Sequence, residues 1–207
     1  MENRVRPDSV SPGPHPEPPQ DATRLKPLVR TLSQRWFRIH RRTRNPLHFG
    51  RQSTSRFDAP QHEYGVLYAA DDAHCAFIEV FEQPMTWRSL DRTVIEERSL
   101  AVLMTTRPLN LIDLTAEGLA RISADARLTT GDHAIAQRWA LALFNCSADI
   151  DGILYRARHD PSRLTVAVFD RAAESMLVES SVGLLDPHLI ELTAGIIETY
   201  GYAVNLE

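Results

Sequence analysis

Arg56, Tyr68 and Glu79 fall on three successive elements of the run RFDAPQHEYGVLYAADDAHCAFIEVF, Arg56 to Phe81. The arginine precedes a turn, the tyrosine closes an apolar strand pattern, and the glutamate sits inside a mostly apolar helical stretch. A second arginine, Arg38, lies between apolar neighbours in WFRIH. A guanidinium fork matches the oxygens of a diphosphate, an aromatic face stacks on a planar ring, and a carboxylate stabilises a nearby cation. A nicotinamide dinucleotide asks for all three. When its N-glycosidic bond breaks, positive charge develops on the ribose C1′, and a carboxylate held near the 2′-hydroxyl stabilises that charge. Glu79, at the margin of its helix's buried stripe, suits that role; its ordinary reading is an exposed or ion-paired helix acid. Tyr68 reads either as a core tyrosine with its hydroxyl at the rim, or as a ring against nicotinamide or a hydroxyl on the ribose. Arg38 and Arg56 are harder to explain without a ligand, because a buried guanidinium needs an anion.

The elements that must position these residues follow from periodicity. Trp36 to His40 reads as a short strand, Asn45 to Ser55 as a polar loop, and Asp58, Ala59 and Pro60 as turn residues. Tyr64 to Ala70 reads as a buried strand. Asp71 or Asp72 caps a helix that runs to about Glu82 and stops at Pro84. Arg98 to Thr105 and Leu109 to Asp113 read as a strand pair around Pro108, and Ala116 to Ser123 as a short helix. Asp132 caps a longer helix to Cys146, with Ile135, Trp139, Ala142 and Leu143 at helical spacing. Gly152 to Arg156 and Arg163 to Phe169 read as strands joined by the turn HDPS, and Met176 to Glu179 as another strand. Asp186-Pro187 opens a last helix that Gly201 closes. Short strands with helices between and after them predict a single α+β domain over residues 31–207. Seven of the thirteen prolines precede residue 29 without any periodicity, which predicts a disordered Pro-rich tail over residues 1–30.

Composition narrows the function. The chain has 207 residues, 43 % of them hydrophobic, enough for one buried core. A net charge of −4 argues against direct nucleic-acid binding. Seven arginines and no acid lie between Arg35 and Arg56, a local electropositive segment. The sole lysine, Lys26, lies in the N-terminal tail and stands against 22 arginines, which argues against a Walker-type phosphate loop, Schiff-base chemistry or a lysine-based kinase site. Cys75 and Cys146 are expected as free thiols in a reducing cytoplasm. The scattered histidines make no metal-binding motif, and no metal is expected. No apolar run reaches the ~20 residues that span a bilayer, so the expected location is cytoplasmic, with no membrane partner.

The chain resembles the RES domain family, a group of toxins named for Arg, Glu and Ser. The resemblance is carried by WFRIH, Phe49-Gly50, RFDAP, YGVLYAA and AFIEVF, then by LTTGDHAIAQRWA (Leu128 to Ala140) and DGILYRARHDPSRLTVAVFD (Asp151 to Asp170). It implies a mixed central sheet flanked by helices, similar to ADP-ribosyltransferases. It implies a toxin of a type II toxin–antitoxin module that takes NAD+ as substrate, by hydrolysis, phosphorolysis or ADP-ribosyl transfer. It further implies a neutralising Xre-like helix-turn-helix antitoxin, with room for a homo-oligomer in the complex. By motif position, Arg38, Arg56, Tyr68 and Glu79 take the family's site positions: Glu79, Tyr68 and Arg38 as catalytic, Arg38, Arg56 and Tyr68 as NAD-binding. The family's serine falls on Ala157, which is expected at the rim of the same cleft, with Arg158 reaching the phosphates. Lacking that hydroxyl, the chain reads alternatively as an attenuated NAD-binding member.

Overall fold

The computed structural model describes residues 15–82, 88–115 and 117–205. Its strands are β1 (Val29–Leu32), β2 (Trp36–Arg41), β3 (Val66–Ala70), β4 (Ser89–Asp91), β5 (Arg98–Thr105), β6 (Leu109–Asp113), β7 (Gly152–Arg156), β8 (Leu164–Phe169), β9 (Met176–Gly183) and β10 (Ala203–Asn205). The helices are α1 (Ala73–Val80), α2 (Arg92–Glu96), α3 (Glu117–Arg121), α4 (Arg127–Thr130), α5 (His133–Cys146) and α6 (Ile190–Thr199). Eight strands form one sheet in the order β1-β6-β7-β8-β3-β2-β5-β9, while β4 and β10 pair separately. Within the large sheet only β6 and β7 run parallel, so the sheet is mixed.

The expected pairing of β5 with β6 does not occur. β5 lies between β2 and β9, and β6 between β1 and β7. In a flat sheet those two positions stand five strand spacings apart, about 24 Å at ~4.8 Å each. The link from Thr105 to Leu109 is four Cα steps, which reach at most ~14 Å. The sheet must therefore roll so that its two halves face each other. The apolar cluster trapped between them is continuous: Trp36, Leu67, Leu103, Leu109, Leu111, Leu154, Val166 and Met176. Outside one half, α5 lays Trp139 and Leu143 on Ile153, Tyr155 and Phe169. Outside the other, α1 and α6 lay Phe77 and Ile196 on Ile39 and Leu100.

The two long caps form as their sequences dictate. The Asp72 side chain accepts from Cys75 N at 2.7 Å, and that of Asp132 from Ala134 N at 2.7 Å. Asp186 instead accepts from His188 N at 3.0 Å, and the last helix begins later, at Ile190. Pro84 lies outside the described residues.

The expected tail boundary at residue 30 falls inside β1, and residues 15–28 ahead of that strand are packed. Trp139 Nε1 donates to Pro16 O at 2.9 Å, Arg138 grips Glu17 through two bonds of 2.6 and 2.7 Å, and Leu25 is buried. The physical reason is nonlocal: α5 presents an indole N–H and a guanidinium that only this proline-rich segment satisfies. Prolines, which disfavour helix and sheet, do not prevent an extended chain from docking.

Candidate active site

β2 and β3 are neighbours, yet they share a single paired position, Phe37 with Ala70. Beyond it the strands part. Gly50 fills part of the gap by bridging Val66, with both hydrogen bonds at 2.9 Å. At Tyr68 the open carbonyl receives the guanidinium of Arg38 at 3.1 Å. The parting leaves a cleft of about 340 Å³. Tyr68, Tyr155 and Thr165 come from the sheet, Ala76, Glu79 and Val80 from α1, and Thr54, Ser55 and Arg56 from the loop before β3. Arg158 and His159 follow β7 into the same space.

Each group arrives for a local reason. Ala76, Glu79 and Val80 stand three and four positions apart on α1 and so share one helical face. The Glu79 carboxylate is held by His159 N–H at 3.0 Å. The loop is organised by Asp58, which is buried and accepts from Thr54 N at 3.0 Å, Ser55 N at 2.8 Å and the Tyr68 hydroxyl at 3.0 Å. Gln137 of α5 ties the same loop down through Ser53 O and Ser55 O at 3.0 and 2.9 Å. Arg56 then reaches inward and donates to Gly131 O at 2.8 Å.

The electrostatics are lopsided. Arg38 donates to Tyr68 O and His48 O, but its Nε is buried without a partner. Burial pushes its guanidinium down to about 10, so it is still charged at neutral pH. Arg56 is 7 % exposed, and burial followed by repulsion from Arg158 lowers its pKa. Among the described residues, none of Arg38, Arg56 and Arg158 makes an ion pair with a carboxylate. Glu82 is taken by His159, whose Nε2 lies 2.7 Å from it. Three arginines, Arg38, Arg56 and Arg158, therefore share the cleft with two carboxylates, Glu79 and Glu82, a net positive lining suited to a bound anion. Among the described residues, no group of three or more His, Cys, Asp or Glu side chains could hold a metal ion.

Arg38, Arg56, Tyr68, Glu79 and Arg158 all line this cleft. Two details differ from the sequence reading. The Tyr68 hydroxyl accepts from Phe57 N at 2.9 Å and donates to Asp58, so it is committed to the loop. Burial raises its pKa well above the ordinary value, which keeps it protonated. Ala157 is not at the rim: it is 2 % exposed and belongs to the apolar cluster with Ala70, Ala73 and Cys75. Its N–H bonds Arg163 O at 3.1 Å, which extends the β7–β8 pairing by one position and turns its Cβ inward. Sequence reasoning missed Tyr155, Asp58 as organiser, and His133. Tyr155 carries the same signal as Tyr68, a tyrosine closing an apolar strand pattern.

A family model described as the RES domain matches residues 35–188 of the chain. No curated protein matches it. Among solved structures, a chain from the crystal structure of the M. tuberculosis MbcT-MbcA toxin-antitoxin complex has a similar fold, with a TM-score of 0.64 and 19 % identity. The match covers 80 % of this chain and 92 % of that one.

Proposed function

The chain belongs to the RES domain family, and on that premise we propose that it is a toxin that cleaves the nicotinamide–ribose bond of NAD+ and so depletes the cell of it. One observation carries the reading: three arginines without a carboxylate partner among the described residues face the cleft that holds Glu79. The diphosphate of NAD+ supplies the missing anion for the arginines that line the cleft. With the phosphates on the arginines, the nicotinamide-side ribose lies toward Glu79. The C1′–N bond breaks as positive charge builds on C1′, and the Glu79 carboxylate, fixed by His159 N–H, stabilises it. Nicotinamide leaves with the bonding pair, and water or inorganic phosphate attacks C1′ from the vacated side. A protein side chain attacking the same carbon would give ADP-ribosyl transfer.

An antitoxin partner belongs to the same proposal, since the solved complex of similar fold pairs a toxin with an antitoxin. A helix-turn-helix antitoxin of the Xre-like kind would then cover the cleft, and the site of action would be the cytoplasm, where NAD+ is abundant. Ala157 is buried in the apolar cluster beneath the cleft, with Ala70 and Ala76, and does not itself line it.

Purified protein incubated with NAD+ tests the reading by chromatography. Water as acceptor gives nicotinamide and ADP-ribose, phosphate gives a phosphorylated ADP-ribose, and transfer gives modified protein. Absence of nicotinamide release in the presence of each acceptor would refute it.

A further inference from the structure

Two tyrosines from the sheet line the cleft, and their hydroxyls do different things. That of Tyr68 is used in both directions, accepting from Phe57 N and donating to Asp58. Tyr155 is held as rigidly: its ring meets Phe57 edge-on, with centroids 4.8 Å apart at 71°, and it is 6 % exposed. Among the described residues, however, its hydroxyl makes no hydrogen bond, and it opens into the cleft. Glu79 and Arg56 both act on its ionisation, Glu79 raising its pKa and Arg56 lowering it, which sets the hydroxyl in the field of both. Burial is the largest influence and keeps the group protonated. A fixed, neutral donor that faces the cleft and is not spent on the protein is available to a ligand bound there.

We propose that the Tyr155 hydroxyl donates a hydrogen bond to the nicotinamide-side ribose of a dinucleotide bound in the cleft, beside Glu79. This rests on the proposed function. A ribose hydroxyl is the group that a carboxylate and a neutral donor grip together: the carboxylate accepts its proton while the phenol donates to its oxygen. The phosphates are drawn to the arginines instead, and a carboxylate repels them. Tyr155 therefore does for the substrate what Tyr68, committed to the loop, does not.

The full-length chain carrying Glu79→Gln, so that NAD+ is not consumed, is compared with and without Tyr155→Phe. Both proteins are titrated calorimetrically with NAD+ and with ADP-ribose, which keeps the ribose and lacks nicotinamide. Their thermal melts are recorded without ligand. We expect both ligands to bind ~3- to 10-fold more weakly without the hydroxyl, the range of one hydrogen bond, and the ligand-free melting temperature to stay unchanged because no protein partner is lost. Equal affinities overturn the inference, as does a loss confined to NAD+, which would move the contact to the nicotinamide amide. A lower melting temperature with unaltered affinity overturns it as well, by making the hydroxyl structural. If the Glu79→Gln chain binds neither ligand, the proposed function fails and takes the inference with it; affinities that are equal on a chain that binds both sink the inference alone.

Discussion

Replacing Asp58 by asparagine and by alanine should produce two graded losses of stability, with NAD+ affinity falling in the same order. The carboxylate is 4 % exposed and accepts three hydrogen bonds, from Thr54 N, Ser55 N and the Tyr68 hydroxyl. A hydrogen bond to a charged acceptor contributes about 1.5–3 kcal/mol, and stranding its donor in a buried site costs a similar amount. Alanine removes all three acceptors. A simple sum would exceed what single substitutions deliver, so the expected loss is about 3–5 kcal/mol. For a domain of this length each kcal/mol moves the melting temperature by ~2–4 °C, which gives a drop of ~6–20 °C. Asparagine can turn its oxygen to the two backbone amides and its NH₂ to the phenol. It then loses only the acceptor for Tyr68, about 1–2 kcal/mol or ~2–8 °C. Arg56 sits two positions before Asp58 on the same loop, so loosening the loop should also let the guanidinium leave the cleft. Thermal melts and NAD+ titrations on the two variants check this. Equal melting temperatures for asparagine and alanine would show that the loop is held by Gln137 and by the Tyr64 hydroxyl, which donates to Phe57 O at 3.2 Å, and would refute the reasoning.

Glu79→Gln keeps size and removes charge, so NAD+ turnover should fall by at least ~10²-fold while NAD+ binding changes little; unchanged turnover would move the charge-stabilising role elsewhere. Ala157→Ser places a hydroxyl in an apolar cluster, at a cost of about 1–3 kcal/mol and with no gain in turnover; higher turnover at an unchanged melting temperature would put the position back in the cleft. Burial pushes the Cys75 thiol up to about 12, so at pH 8 it should resist alkylation in the folded protein and react once unfolded by urea. The same shift bears on stability, because the unfolded chain releases that proton near ~8.5. The contribution is complete below that pH and is lost as pH rises toward the folded value, so thermal melts between pH 9 and 11 should show a falling transition.

The uncompensated arginines place a constraint on the protein without ligand. Arg38 and Arg56 are both desolvated, and Arg56 also faces the field of Arg158. What holds them there is neutral: carbonyl oxygens of Tyr68, His48 and Gly131. Carbonyl dipoles orient a guanidinium without neutralising it, which leaves its charge available to a phosphate. An ion pair in their place would stabilise the fold and block the ligand.

Much of the molecule is legible in the sequence because its signals are local. Asp72 and Asp132 cap helices through their own second or third following N–H, and Val66 to Ala70 or Gly152 to Arg156 declare themselves as strands within a few residues. The types and order of Arg38, Arg56, Tyr68 and Glu79 likewise suffice to pose an anion, a ring and a developing cation. What only the tertiary structure decides is set by contacts between segments far apart in the chain. Whether β5 pairs with β6 depends on the rolling of the whole sheet, which no short window carries. Whether residues 15–28 are free or docked depends on Trp139 and Arg138, more than 100 positions away. Whether a tyrosine serves the loop or the ligand depends on Asp58 accepting from the Tyr68 hydroxyl while, among the described residues, no group bonds that of Tyr155. The cleft itself exists because two neighbouring strands stop pairing after one position, and strand separation is a property of the packed sheet, since each strand alone has the same period of two wherever its partner lies.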